Sequence, residues 1–241
     1  MERSIIKEWE HDTNIKLGIT KENKLLQFAE LIHEGNKKFN LTGLKTKKDI
    51  LTKLILGSIE PLNNFTVPRG TSFADIGTGA GIPGIPVAIY FEHMRGSLID
   101  SNNKKISFLK QVIRNLNLDN IQILQGRIEE LAHGQLRDIF NIVFSRAFYN
   151  ISIVVEMAAP LLVSGGLLYI YSNDRVENLP EKVIDHIKQL GMAVINSNEY
   201  NLYGLRDLNL LFKKTGTTKS IYPRKMPAIK RDAKKLFPGI R

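Results

Sequence analysis

The sequence predicts an α/β fold: a largely parallel sheet flanked by helices, with a helical subdomain in front of it. Three observations carry this. From Thr71 onward, short apolar runs alternate with stretches of helical periodicity, the pattern of strand–helix–strand units. The first apolar run leads straight into Gly77-Thr78-Gly79-Ala80-Gly81, a glycine-rich turn before a helix. Residues 1–66 show only helical periodicity.

Taken in order, Ile5, Ile6, Trp9, Ile15 and Leu17 give residues 1–20 a weak helical pattern, with Gly18 as the expected stop. Residues 21–39 form a stronger helix, with Leu25, Phe28, Ala29 and Ile32 on one face and His33 at its boundary. Thr46, with Asp49 three residues on, is expected to cap the next helix. Ile50, Leu51, Leu54 and Ile55 make its apolar stripe, and Pro61 ends it. A loop over 67–70 enters the first strand, 72–76. Pro83 and Pro86 are tolerable only in the first turn of the helix that follows the glycines.

The second strand, 96–99, ends in Asp100. A Ser101 or Asn102 cap then starts a helix through Ile106, Phe108, Leu109, Val112, Ile113 and Leu116. Strands at 121–124 and 140–144 follow, then a helix over 151–162. Gly165-Gly166 is expected to turn the chain before strand 167–171. A helix over 181–190 closes at Gly191, and the last strands, 193–200 and 208–213, lie close enough in sequence to be antiparallel. The resulting division is a helical subdomain at 1–66, the sheet domain at 67–214 and a basic tail at 215–241.

Composition bounds the function. With 241 residues, 43% hydrophobic and 24% charged, the chain can bury one sizeable core. It has no cysteine, which excludes disulfides and cysteine-bound zinc, and a cytoplasmic setting is expected. Met1 to Glu10 has no apolar core, and the run 151–163 is interrupted by Glu156 and too short to span a bilayer. Of the net charge of +10, all but +1 lies in residues 213–241. Such a block favours a polyanion over a purely solvated tail.

The glycine turn narrows the ligand. A dinucleotide fingerprint counted from Gly77 would need a third glycine at Ile82; counted from Gly79 it would place Pro83 inside the turn. Asp-x-Gly-x-Gly-x-Gly from Asp75 to Gly81 fits better. It resembles the first motif of class I methyltransferases, which bind S-adenosylmethionine. Asp75 would hold the methionine ammonium end, or merely order the turn. Asp100, closing the second strand, suits the ribose hydroxyls or a helix cap. In Gly126-Arg127-Ile128-Glu129, Ile128 and the Glu129 amide suit adenine, although Glu129 and Glu130 also suit a helix start. Arg146 at the end of the fourth strand would hold a carboxylate or phosphate, and Phe148 would stack on a base or pack in the core.

Phe39-Asn40-Leu41-Thr42, the run from Phe73 to Pro86 with Gly-Ile-Pro-Gly-Ile-Pro, Leu98-Ile99-Asp100-Ser101, Phe108-Leu109, Arg127-Ile128-Glu129-Glu130, Ser145-Arg146-Ala147-Phe148 and Tyr222-Pro223-Arg224-Lys225 occur in order along nearly the whole chain. By these segments the chain resembles the glucose-inhibited division protein B family, the 16S ribosomal RNA guanine-N7 methyltransferases of bacteria. The resemblance implies a Rossmann-like class I methyltransferase sheet and S-adenosylmethionine held by Gly77, Gly79, Ile82, Asp100, Ile128, Glu129 and Arg146. It also implies methyl transfer to guanine N7 of 16S rRNA or the small ribosomal subunit. N7 has a lone pair in the plane of the ring, so no catalytic base is expected, and no metal, no membrane and a monomeric enzyme are expected beside it. Leu54 and Gly57 stand where members carry His and Asp, and Ser172 where they tend to carry Lys. These departures keep open an RNA-binding relative with another target or weakened catalysis. A nicotinamide-linked dehydrogenase is disfavoured by Ile82.

Overall fold

The computed structural model describes residues 2–63, 65–146, 149–172, 179–202 and 205–236. Its strands are β1 (Ser72–Ile76), β2 (Arg95–Asp100), β3 (Ile121–Gln125), β4 (Phe140–Arg146), β5 (Leu162–Ser172), β6 (Met192–Leu202) and β7 (Leu205–Lys214). They form one sheet in the order β3-β2-β1-β4-β5-β7-β6. β1 to β5 are parallel to their neighbours, while β7 runs antiparallel to both β5 and β6. The order reverses between β1 and β4, which opens a crevice at the C-terminal ends of the strands.

Helices cover both faces. They are α1 (Glu2–Thr13), α2 (Ile19–Lys38), α3 (Lys47–Asp49), α4 (Gly57–Ile59), α5 (Gly84–Tyr90), α6 (Asn103–Asn115), α7 (Ile128–Leu131), α8 (Ile151–Ala158), α9 (Glu181–Gln189) and α10 (Met226–Leu236). Between α3 and α4 the chain makes π-helical turns over Ile50–Leu56, and a 3₁₀ turn over Glu60–Leu62 follows. One apolar cluster joins Ile6, Trp9, Phe28 and Ile55 of the N-terminal helices to Ile85, Leu98 and Leu109 of the sheet body. The N-terminal helices therefore share a core with α5 and α6. The opposite face packs Val154 and Met157 of α8, Ile187 of α9 and Ile229 of α10 against the sheet.

The structure corrects four expectations. Gly18 does not stop the first helix; α1 ends at Thr13, and Gly18, at φ 75°, caps the start of α2. Ile15 and Leu17 are buried in the linker, which Glu10 ties down by accepting the Leu17 N–H at 2.8 Å. The helix expected over 151–162 gives way at Ala159–Leu161 to a 3₁₀ turn carrying Pro160. Gly165-Gly166 does not end a segment; it is a bulge inside β5. Phe140 and Ile142 of β4 pair with Leu162 and Leu167, so β5 holds three surplus residues there.

The fourth correction concerns the C-terminus. The segment expected as a tail packs onto the body through residue 236. Arg137 donates to Thr218 O at 2.7 Å and Tyr222 O at 2.9 Å, and Ile229 and Ala233 are buried. Its charge stays on the outer face, where Lys225, Lys230, Lys234 and Lys235 are exposed. Thr46 caps as expected: its Oγ1 accepts the Asp49 N–H and donates to Asp49 Oδ2.

Candidate functional site

β1 ends at the mouth of the crevice, and Gly77, Gly79 and Gly81 turn the chain there with φ of 67°, 61° and 90°. Side chains are disfavoured in this left-handed region, which explains the repeated glycine. Gly77 and Thr78 both donate to Ile99 O, at 2.9 and 3.1 Å, stitching the turn to β2. The glycines differ in what surrounds them. A Cβ on Gly81 would strike Ile85 and lie 3.0 Å from Leu109; one on Gly84 would strike Leu98 and lie 2.8 Å from Asp75 Oδ2. A Cβ on Gly79 would meet nothing nearer than 3.8 Å. Gly81 and Gly84 thus serve packing, while Gly79 presents open backbone.

Asp75 lies beneath the turn, fully buried. Its Oδ2 accepts from Thr78 Oγ1 at 2.6 Å and from the Gly84 N–H at 2.8 Å. Its Oδ1 is buried with no hydrogen-bond partner. Burial pushes the Asp75 carboxyl up to about 7, against the pull of those two hydrogen bonds; the charge of Asp100 pushes the same way and that of Arg146 opposes. One oxygen orders the turn, and the other is an unmet acceptor.

Asp100 faces the turn from the end of β2. Its Oδ2 accepts the Gly79 N–H at 3.0 Å and lies 3.5 Å from Lys105 Nζ, while its Oδ1 accepts the Asn102 N–H at 2.9 Å. The helix cap is Asn102, whose side chain accepts from the Lys104 and Lys105 N–H groups. Asp100 is therefore not the cap of α6, and its carboxylate looks into the crevice.

A cleft of about 70 Å³ opens beside these groups, and Gly77, Asp100, Ile128 and Glu129 line it together. Ile128 and Glu129 open α7, ahead of its first bonds from the Glu130 and Leu131 N–H groups to Arg127 O. Gly79 joins the group through Asp100. Ile82 and Arg146 do not line the cleft. Ile82 is buried in the apolar cluster behind the turn. The Arg146 guanidinium reaches the N-terminal helices, donating to Lys53 O at 2.8 Å, Leu54 O at 3.2 Å and Ser58 Oγ at 3.1 Å, and lies 5.1 Å over the Tyr171 ring. A guanidinium donating to backbone carbonyls makes charge-assisted hydrogen bonds. Leu54 and Gly57, two of the departures from the family pattern, sit in this same turn. Phe148 lies outside the described residues.

Reading the sequence missed three residues of the cleft: Tyr149, Met157 and Met226. Met226 is brought there by Arg224, which grips the buried Glu156 of α8. The available signal was Glu156 itself, an acid inside an otherwise apolar helix, which needs a cation from elsewhere in the chain. Among the described residues no group of His, Asp or Glu is arranged to hold a metal ion, and no helix is long and apolar enough to cross a membrane.

Comparison with known proteins gives a consistent picture. The family model described as rRNA small subunit methyltransferase G matches residues 21–213. The chain is similar to the ribosomal RNA small subunit methyltransferase G of Mycoplasma capricolum, 33% identical over 88% of this chain and 91% of that protein. The protein of the same name from Clostridium botulinum is 34% identical over 92% of this chain and 94% of its own length. Among solved structures, TYW2 from M. jannaschii, crystallised with AdoMet, aligns with TM-score 0.51 and 16% identity over 66% of this chain and 76% of that one. A SAM-dependent methyltransferase from Aquifex aeolicus aligns with TM-score 0.51 and 14% identity over 69% and 93%. These two share the fold, a class I methyltransferase sheet. By the extent of the family match and by its curated relatives, the chain belongs to the rRNA small subunit methyltransferase G family.

Proposed function

We propose that the crevice holds S-adenosylmethionine and that the protein transfers its methyl group to N7 of a guanine in small-subunit ribosomal RNA. The observation that carries the site assignment is Asp75. Asp75 does not line the cleft itself, but a buried carboxyl with one unmet oxygen, raised further by Asp100 and lying beneath the glycine turn, favours a cationic ligand on that turn. The open backbone at Gly79 and the carboxylate of Asp100 fit the rest of a nucleoside-bearing cation.

Gly77, Gly79 and Asp100 are assigned to the ribose and amino acid parts, and Ile128 with the Glu129 amide to adenine. Ile82 supports the turn from behind. Arg146 is assigned as the cation that positions this end of the site, acting on ionised Asp75 through its charge.

Bound S-adenosylmethionine supplies an electrophilic methyl group. Guanine N7 has an in-plane lone pair, so no proton must leave before attack and no side chain is needed as a base. The protein's work is alignment of the acceptor and exclusion of water. The target base must be unstacked to reach the crevice. We further assign residues 1–66 and 215–241 as additions to the 67–214 sheet body, and read the enzyme as a cytoplasmic monomer acting on 16S rRNA or the small subunit.

A second reading, weakened catalysis, is favoured by one observation: Arg146 meets the carbonyls of Lys53 and Leu54, one turn before Gly57, where the family pattern has an acid. Calorimetry with S-adenosylmethionine, followed by mass mapping of rRNA treated with the protein and labelled donor, separates the two. Heat with 7-methylguanosine formed supports the main reading. Heat with no modified guanine supports the second, and no heat overturns both.

A further inference from the structure

A second cleft lies between the C-terminal end of α2 and the start of α6, outside the cofactor site. It holds about 290 Å³, and Gly35, Lys38, Phe39, Lys104 and Gln111 are among its lining residues. Phe39 caps the end of α2 in an extended conformation, which leaves its ring 41% exposed. Lys104 Nζ stands 5.9 Å from the ring centroid. Among the described residues neither Lys38 nor Lys104 makes an ion pair, and the acid of the cleft, Glu34, is paired with Lys37 at 2.6 Å.

The ring sits on a built platform. Asn36 Oδ1 accepts the Leu41 and Thr42 N–H groups at 3.1 and 3.0 Å, and its Nδ2 donates to Leu44 O at 2.8 Å. This fixes the turn after Phe39. A Cβ on Gly35 would strike Leu41 and reach Phe108 at 3.0 Å, so glycine lets α2 close on α6. The start of α6 lies between this cleft and the glycine turn. Lys104 and Lys105 are neighbours in the first turn of α6, one over Phe39, the other 3.5 Å from Asp100 Oδ2.

We propose that this cleft is a nucleotide subsite for the substrate RNA strand, in which an unstacked base lies on Phe39 and the adjoining phosphates meet Lys38 and Lys104. The proposal rests on the methyltransferase reading above and adds to it the path of the strand. An exposed aromatic ring beside a hydrogen-bonded turn, flanked by cations with no carboxylate partner among the described residues, is what single-stranded nucleic acid uses, because every base has a face to stack and every nucleotide a phosphate. A strand crossing the start of α6 would pass from this ring to the crevice.

The test uses the full chain and an rRNA fragment. Phe39→Leu should raise KM for the RNA roughly tenfold to a hundredfold, with kcat and S-adenosylmethionine affinity unchanged. Phe39→Trp should restore KM. Because the chain's one native tryptophan, Trp9, is buried, the new indole should report stacking as fluorescence quenched by RNA and recovered in salt. An unchanged KM in Phe39→Leu, or an unquenched Phe39→Trp, overturns the subsite while leaving the methyltransferase intact. A defect seen only on assembled subunits, not on naked RNA, also overturns it, since Phe39 would then contact protein. A wild-type protein that binds S-adenosylmethionine yet modifies no RNA removes the reading on which the subsite rests.

Discussion

Arg224 and Glu156 meet at the back of the cofactor crevice. Arg224 Nε and Nη2 reach the two carboxylate oxygens of Glu156 at 2.9 and 2.7 Å, and the Arg224 N–H adds a third bond at 3.0 Å. The Glu156 side chain is wholly buried. Arg224 also holds Asp232 of α10 at 2.6 Å. This pair fastens the C-terminal segment, and with it Met226, beside the crevice.

Breaking the pair should therefore cost stability. Glu156→Gln leaves Arg224 only the part-exposed Asp232 as a charge partner, and a loss of about 3 kcal/mol is expected in urea unfolding. Arg224→Lys keeps the charge but loses the two-pronged geometry and should fall between the mutant and the native protein. A Glu156→Gln protein as stable as the native one would show that the pair is dispensable.

The same pair sets an acid limit. Burial would raise the Glu156 carboxyl, but hydrogen bonds from the Arg224 side chain, from His186 and from the Arg224 N–H outweigh it and hold it at about 2. A carboxyl depressed in the folded state stabilises above its unfolded value, 4.5, and loses that contribution as pH falls toward 2. Thermal unfolding midpoints should drop across this window, and less so in Glu156→Gln.

Asp75 behaves in the opposite sense. Burial raises it from 3.8 to about 7, so the ligand-free protein loses stability as pH rises between these values. A cationic ligand that needs Asp75 ionised should bind about tenfold more weakly per pH unit below pH 7 and reach a plateau above it. Calorimetry with S-adenosylmethionine from pH 5.5 to 8 measures this, and the slope should vanish in Asp75→Asn.

The glycines should separate packing from binding. Gly84→Ala drives a methyl into Leu98 and against Asp75 and should cost roughly 3 kcal/mol. Gly79→Ala meets no close atom, so only its left-handed backbone is penalised, at about 1–2 kcal/mol. It should fold and lose affinity for S-adenosylmethionine. Circular dichroism melts with calorimetry on both variants test the contrast.

For the basic C-terminus, removal of residues 215–241 would take Ile229 and Ala233 out of the core. Charge substitution is the cleaner experiment. Replacing Lys230, Lys234 and Lys235 by Gln on the outer face of α10 should reduce the slope of log affinity against log salt by roughly 2 for single-stranded RNA. An unchanged slope would mean that α10 does not touch phosphate.

Much of this protein can be read along the chain. The sheet strands announce themselves because parallel strands buried on both faces are near-continuous apolar runs. The bounds of β1 follow from the glycines that end it, and the cap at Thr46 from a local pairing with Asp49. Gly77, Asp100, Ile128 and Glu129 could be gathered into one site because each ends or follows a strand of known order, so a one-dimensional position implies a place in the crevice. The family likewise follows from motifs that are each local.

Other features depend on contacts between distant residues, and these the tertiary structure alone decided. Arg146 ends a strand as expected, but its direction is set by the carbonyls of Lys53 and Leu54, more than ninety residues earlier. Nor does a basic segment disclose whether it is free or docked. That depended on Glu156, since burying one carboxylate requires a cation wherever the chain can deliver it. Sequence determined the sheet, the turn and the chemistry facing the crevice, because these follow from local periodicity and backbone conformation. Folding decided which charges face solvent and which face each other, because the cost of burying a charge depends on every neighbour the chain brings to it.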